Sequence, residues 1–313
     1  CQAGASPLIQ DCRFEANDGG LEILDSSPLI ERCTVIQNTA GDGAGLYIAG
    51  ISQPHVVNCV IVQNVATNMG GGFYVGPGAW PTVNNCTVAD NDASVAGGGF
   101  FNNGSLLFWN SILWDNTAPV GPGYHVLESF ASGYDCLQTP HSGGNNNFVG
   151  DPQFVGVANY QLKSSSPCID AGIDVRTDER GDFFAPADDH DGVQRDYAGG
   201  GHSRYDIGAY EYVPGGRIFV QAPGGTAGET LTASLATTVE WTWESDVGTN
   251  VNLYYTFDFL SQSPTWQTIA TNVYRGTNGT GSHAWQVPQT NTSRCYVRVV
   301  DSTNSQVESI SPY

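Results

Sequence analysis

Gln53-Pro-His-Val-Val-Asn-Cys59-Val-Ile-Val-Gln-Asn64 aligns without a gap to Trp80-Pro-Thr-Val-Asn-Asn-Cys86-Thr-Val-Ala-Asp-Asn91. Two earlier copies are Ser6-Pro-Leu-Ile-Gln-Asp-Cys12-Arg-Phe-Glu-Ala-Asn17 and Ser27-Pro-Leu-Ile-Glu-Arg-Cys33-Thr-Val-Ile-Gln-Asn38. A weaker fifth is Ser105-Leu-Leu-Phe-Trp-Asn-Ser111-Ile-Leu-Trp-Asp-Asn116. The Cys position recurs at spacings of 21, 26, 27 and 25 residues. Most copies are followed by a glycine step and a short apolar run, as in Gly43-Ala-Gly-Leu46-Tyr-Ile48 and Gly70-Gly-Gly-Phe73-Tyr-Val75.

A repeat of 20 to 30 residues signals a solenoid. Each unit carries short period-2 strands broken by Gly or Asn, which predicts an all-β parallel β-helix rather than a helical array. Successive coils then lie about 4.8 Å apart and equivalent residues stack. Cys12, Cys33, Cys59 and Cys86 form one ladder, continued by Ser111. Asn17, Asn38, Asn64, Asn91 and Asn116 form a second, with amides bonding from coil to coil and Asn adopting the left-handed turn conformation. The Cys ladder reads as inward-facing free thiols, because register rather than sulfur geometry sets the separation of a regular stack. Bridges between neighbouring coils are the competing reading.

Composition narrows the function classes. The 313 residues carry 31 acids against 11 bases, a net charge of −20. That charge repels nucleic acid and anionic lipid. No apolar run approaches the roughly 18 residues of a membrane span. The one methionine is Met69, so the chain does not start at an initiator. Both ends look abrupt for a solenoid that needs capping, which implies further sequence or a covering partner.

After Asn116 the repeat fades, and residues 119–213 read as an irregular, acid-rich closing segment. Eleven of the 31 acids lie between Asp170 and Glu211. Tyr134-Asp-Cys136-Leu-Gln, Asn147-Phe-Val-Gly-Asp151-Pro-Gln-Phe154, Ser166-Pro-Cys168-Ile-Asp170-Ala-Gly172 and Asp206-Ile-Gly-Ala-Tyr-Glu211 occur in order. Together they resemble the closing segment of choice-of-anchor Q domains, right-handed parallel β-helices of secreted bacterial proteins in the pectin-lyase-like superfamily. The resemblance covers residues 1–213 and implies an extracellular or cell-surface location.

Residues 214–313 change texture. Val239-Glu-Trp-Thr-Trp243, Val251-Asn-Leu-Tyr-Tyr255 and Cys295-Tyr-Val-Arg-Val-Val300 alternate in the manner of strands, with Gly/Asn/Thr-rich turns between runs. This predicts a C-terminal antiparallel β-sandwich. It looks like the Ig-like or fibronectin-like modules appended to bacterial secreted proteins. Cys295 is its single cysteine, so an intersheet disulfide is excluded. Cys1, Cys136 and Cys168 complete the set of eight. Cys136 and Cys168 sit in adjacent parts of the closing segment, where a bridge and two free thiols are both open. The export that the resemblance implies would permit the bridge.

The superfamily includes polysaccharide lyases and hydrolases, so catalysis is tested residue by residue. Elimination on an acidic glycan needs a base and cations, yet residues 33–162 contain no Lys or Arg. A lyase would need bound calcium and a base from elsewhere. A hydrolase needs paired carboxylates, and retaining enzymes hold theirs about 5 Å apart. Asp90 and Asp115 share a repeat position and should stack one strand spacing apart. Gln37 and Gln63 fill that position in earlier coils, which favours a polar ladder over a catalytic pair. Asp188-Asp189-His-Asp191-Gly192 partly matches a calcium loop without the downstream Glu of an EF-hand. A solvated loop with acids paired to arginines such as Arg195 is the plainer reading.

Tyr47, Tyr74 and Phe101 share an outward repeat position, as an aromatic ladder that either stabilises the stack or binds a surface glycan. The sequence thus leans away from an enzyme. It points first to a secreted surface, adhesive or structural protein, with self-association into a filament through solenoid ends or strand edges. The alternative is a carbohydrate-binding or carbohydrate-active β-helix. No cofactor is expected beyond the open calcium question.

Overall fold

A computed structural model describes residues 4–142, 144–156, 158–173, 175–178, 181–184, 186–193, 195, 205–212, 215–222, 234–244, 247–257, 264–289, 295–305 and 307–311. Cys1 lies outside the described residues. The chain divides into two compact units, Cys1–Tyr212 and Val213–Tyr313. Regular structure among the described residues is all β-strand and turn.

The first unit is a parallel β-solenoid of about five turns with three long sheets. The first sheet stacks Leu8–Gln10, Leu29–Glu31, His55–Val57, Thr82–Asn84, Ser105–Trp109 and Ser129–Gly133. The second stacks Arg13–Glu15, Thr34–Ile36, Val60–Val62, Thr87–Ala89, Ile112–Trp114, Cys136–Leu137 and Phe148–Val149. The third stacks Leu21–Leu24, Leu46–Ala49, Phe73–Val75, Phe100–Asn102 and Tyr124–Val126. Pairing is in register, residue for residue: Ile61 faces Val88 and Leu46 faces Phe73. The inward residues of all three sheets, among them Ile30, Ile61, Phe73, Phe100 and Phe108, make one apolar core. The closeness of the coils explains the glycine steps. A Cβ on Gly72 would lie 2.4 Å from the Gly99 carbonyl oxygen and 2.9 Å from a Val88 methyl.

The stack runs further than the repeat. Tyr124–Val126, Ser129–Gly133, Cys136–Leu137 and Phe148–Val149 continue the three sheets, so coil structure extends to Val149 and not only to Asn116. The signature vanishes because different residues take over the ladder positions. Ser111 N–H donates to Asp135 Oδ1 at 2.8 Å, and Asn116 N–H donates to Gln138 Oε1 at 2.8 Å. Aspartate and glutamine supply the oxygen that Cys, Ser and Asn supply in earlier coils.

The corners also differ from expectation. The left-handed residue is the one before each ladder Asn: Ala16, Gln37, Gln63, Asp90 and Asp115, with φ between 52° and 56°. A second left-handed row, Asp11, Arg32, Asn58, Asn85 and Asn110, precedes the Cys and Ser ladder positions. The ladder Asn then turns its amide along the stack. Asn64 Nδ2 donates to Asn91 Oδ1 at 3.0 Å and to Val35 O at 3.0 Å, and Asn64 N–H donates to Asn91 Oδ1 at 3.0 Å.

Cys12, Cys33, Cys59 and Cys86 are free thiols. They are more than apolar plugs. Cys59 Sγ donates to Val57 O at 3.2 Å, and Cys59 N–H donates to Cys86 Sγ at 3.4 Å. Cys86 N–H donates to Ser111 Oγ at 3.0 Å, so hydroxyl and thiol are interchangeable acceptors in this row.

The second sheet is apolar on its outer side as well. Val60, Val62 and Ala89 pack there against Tyr160 and Ala209, and Ile112 and Cys136 pack against Leu162, Cys168 and Ile207. The closing segment is therefore the cover of that sheet, burying apolar surface that the coils alone would leave in water.

Among the described residues, the second unit holds seven antiparallel strands in two sheets. One is Arg217–Ala222, Ala236–Glu244 and Thr280–Gln286; the other is Gln267–Tyr274, Asn250–Thr256, Tyr296–Asp301 and Glu308–Ile310. Their facing sides share one core around Val239, Trp241, Leu253, Trp285, Val297 and Val299. Cys295 is a free thiol here, pushed up to about 11 by burial. Among the described residues no helix is long and apolar enough to cross a membrane.

Candidate functional site

The third sheet presents the aromatic ladder on its outer side. Tyr47, Tyr74 and Phe101 occupy one register row, and His125 continues it. Ring centroids are 5.2 Å apart for Tyr47–Tyr74 and 5.5 Å for Tyr74–Phe101, each pair inclined by only 4°. His125 stacks on Phe101 at 5.2 Å. Parallel stacking at this spacing places each inner ring face against a neighbouring ring, leaving edges for solvent. A flat sugar needs an open ring face, so the inner rings serve the stack and not a platform.

The end of the row is different. On the first-coil side Tyr47 has Glu22 as its register neighbour, not another ring. There it borders a cleft of about 370 Å³ whose other walls include Asp18, Glu22 and Asp42. Asp42 Oδ1 accepts from Asn68 Nδ2 at 2.7 Å and from Met69 N–H at 3.0 Å, which fixes that wall. The sequence reading found Tyr47 but not these three acids. They stand outside the Cys/Asn repeat, and only the register brings them together.

Asp90 and Asp115 stack at a left-handed corner, but the closing segment has engaged the first of them. Tyr160 Oη donates to Asp90 Oδ2 at 2.7 Å and accepts from Gln63 Nε2 at 3.2 Å; Gln37 Nε2 in turn donates to Gln63 Oε1 at 3.0 Å. Burial raises the Asp90 carboxyl above its usual range, the Tyr160 bond opposes this and the Asp115 charge adds to it. Burial and the Asp90 charge push the Tyr160 phenol up. Asp115 remains exposed. The row works as a polar spine under the closing segment, with Tyr160 lying where a substrate oxygen would have to approach Asp90.

The acidic loop does not converge on a point. Asp189 is fully buried; its Oδ1 accepts from the N–H groups of Asp191 and Val193, both at 2.8 Å, and its Oδ2 from Glu211 N–H at 2.9 Å. Asp188 offers its backbone carbonyl to Asn58 Nδ2 at 2.6 Å. Asp191 accepts from Gln161 Nε2 at 3.2 Å. Among the described residues, no three of these carboxylates gather around one point.

Arg195, read from sequence only as a counter-ion, is the centre of the segment. Its guanidinium is buried and donates to Glu211 Oε2 at 3.1 Å, Asn58 Oδ1 at 2.8 Å, Gly208 O at 2.9 Å and Ala209 O at 3.1 Å. Asp206 Oδ1 accepts from Asp170 N–H at 2.8 Å, and Ile207 N–H donates to Cys168 O at 3.0 Å. The Ser166–Gly172 and Asp206–Glu211 strings therefore lie side by side. Burial drives Asp206 up to about 6 and Glu211 up to about 7, with Arg195 pulling both down.

Cys136 and Cys168 are free and fully buried, and they belong to one buried cluster with Ile112, Leu162 and Ile207.

Comparison with known families fits this geometry. Residues 1–117 match the family model described as the right handed beta helix region. The match covers the repeat and supports a right-handed hand for the parallel coils. Searches of curated proteins and of solved structures gave no match.

Proposed function

We propose that this chain is a non-enzymatic, secreted bacterial surface protein with an adhesive or structural role, whose β-helix serves as a rigid rod and associates with further copies into an extracellular filament. The observation that carries this reading is the engagement of Asp90 by Tyr160: one member of the Asp90–Asp115 pair generated by the repeat is taken up in the packing between coils and closing segment. The absence of Lys and Arg from residues 33–162 works in the same direction, since no cation on these coils could meet a uronate. The side-by-side placement of the two closing strings supports a choice-of-anchor Q type of β-helix. The three-plus-four strand arrangement with a shared core supports an Ig-like or fibronectin-like module behind it. Static light scattering on the full chain at rising concentration tests the assembly. Mass that grows with concentration is expected, and monomers throughout would overturn it.

A second reading is a carbohydrate-binding β-helix, favoured by the cleft beside Tyr47. Glycan-array binding lost in Tyr47→Ala and kept in Tyr74→Phe would support it. Reducing-sugar release abolished by Asp90→Asn would instead revive a hydrolase.

A further inference from the structure

Seven described cysteines are thiols in this structure, and the six in the first unit fall into two geometries. Cys33, Cys59 and Cys86 stand directly above one another in register, all pointing into the core. Parallel side chains one strand spacing apart hold their Cβ atoms near 4.8 Å. A disulfide wants about 3.5–4.5 Å with the two Cβ vectors converging. Each ladder thiol is moreover engaged by carbonyls, as Cys86 Sγ is by Asn84 O at 3.2 Å.

Cys136 and Cys168 meet differently. Cys136 pairs with Ile112 on the outward row of the second sheet, while its neighbour Leu137 belongs to the core. Cys168 comes from the opposite side, in the closing segment that covers that sheet, and both sit in one buried cluster with Ile112, Leu162 and Ile207. The two side chains therefore approach head-on across an interface, from separate stretches of chain. Cys136 Sγ donates to Gly150 O at 3.1 Å, so it points out of the coil core.

We infer that Cys136 and Cys168 form a disulfide clasp that fastens the closing segment onto the second sheet when the protein folds in the presence of an exchanging small-molecule disulfide. Both thiols are sealed from solvent once the segment is docked, so exchange happens before or during docking. One thiolate attacks the small-molecule disulfide and releases one of its halves as a thiol. The second protein thiolate then attacks the mixed disulfide and releases the other half. The protein loses two hydrogens, and the reagent is reduced to two thiols. The clasp follows from the packing alone; the extracellular reading bears only on whether the natural compartment closes it.

The test is refolding of the reduced, denatured full chain with oxidised and reduced glutathione, followed by alkylation and non-reducing peptide mapping. The expected product is one intrachain cross-link between the peptides carrying Cys136 and Cys168, with Cys33, Cys59 and Cys86 alkylated only after denaturation. Cleavage within the closing segment by an added protease should slow about tenfold or more on oxidation, as a clasp that suppresses local opening requires. Cys168→Ser should abolish this redox dependence, and Cys59→Ser should leave it intact. Oxidised, folded protein with Cys136 and Cys168 still alkylatable after denaturation would overturn the inference. So would a cross-link within the ladder, or cleavage that does not respond to oxidation.

Discussion

Tyr160 donates a 2.7 Å hydrogen bond to Asp90, joining a residue of the closing segment to a left-handed corner of the coil stack. The bond has a charged acceptor in a half-buried setting, where such bonds are worth about 1.5–3 kcal/mol. Tyr160→Phe is expected to destabilise the first unit by about 1–2 kcal/mol in denaturant titrations. Asp90→Ala should cost a similar amount. The double variant should cost clearly less than the sum, since both remove one interaction. Additive losses would mean that Tyr160 and Asp90 act independently.

How much of this was legible in advance divides along chemistry. The coil stack could be read from Cys12 to Asn116 because the same atoms recur at the same corners. It could not be followed past Asn116, because Asp135 and Gln138 do the work of Cys and Asn with different side chains. The cover over the second sheet had a signal that alternation alone missed: Val60-Ile61-Val62 is buried at all three positions, as a strand packed on both faces must be. Arg195 gave no such signal. Its partners, Asn58, Glu211 and three backbone carbonyls, are brought to it only by tertiary docking. The Asp18, Glu22 and Asp42 walls of the Tyr47 cleft are likewise a product of register.

The Asn ladder should be graded along its length. Asn64 is fully buried, donates to Val35 O and Asn91 Oδ1, and accepts from Asn38. Asn64→Ala leaves several buried groups without partners, each costing about 1–3 kcal/mol. A loss of at least about 3 kcal/mol is expected. Asn17 is exposed and ends the row, so Asn17→Ala should cost under about 1 kcal/mol. Equal losses at the two sites would refute cooperative stacking as the source of stability.

Chelation separates the two readings of the acidic loop. Calcium needs six to eight oxygens converging on one point. The Asp189 carboxylate accepts from three backbone amides, the Asp191 carboxylate accepts from Gln161, and Asp188 is held through its backbone carbonyl. Melting of the full chain should therefore be the same with EDTA as with millimolar calcium. A lower midpoint in EDTA, restored by calcium, would return Asp188, Asp189 and Asp191 to a metal site.

The cluster around Arg195 makes stability depend on pH in a definite direction. One buried guanidinium donates to Glu211 Oε2 and to the Asp206 backbone carbonyl, and the Glu211 amide donates to Asp189 Oδ2. A single cation cannot balance all the carboxylates, and burial raises Asp206 from 3.8 to about 6 and Glu211 from 4.5 to about 7. Acids whose folded values lie above their unfolded ones favour the folded state fully below the unfolded values. That advantage is lost as pH rises through the folded values. Calorimetry of the full chain should therefore show the transition of the first unit falling as pH rises between about pH 4.5 and pH 7.5, a loss of several kcal/mol. Glu211→Gln keeps an oxygen for Arg195 and removes the titration. It should flatten that slope by at least half while leaving the transition of the second unit unmoved. An unchanged slope in this variant would place the pH sensitivity elsewhere.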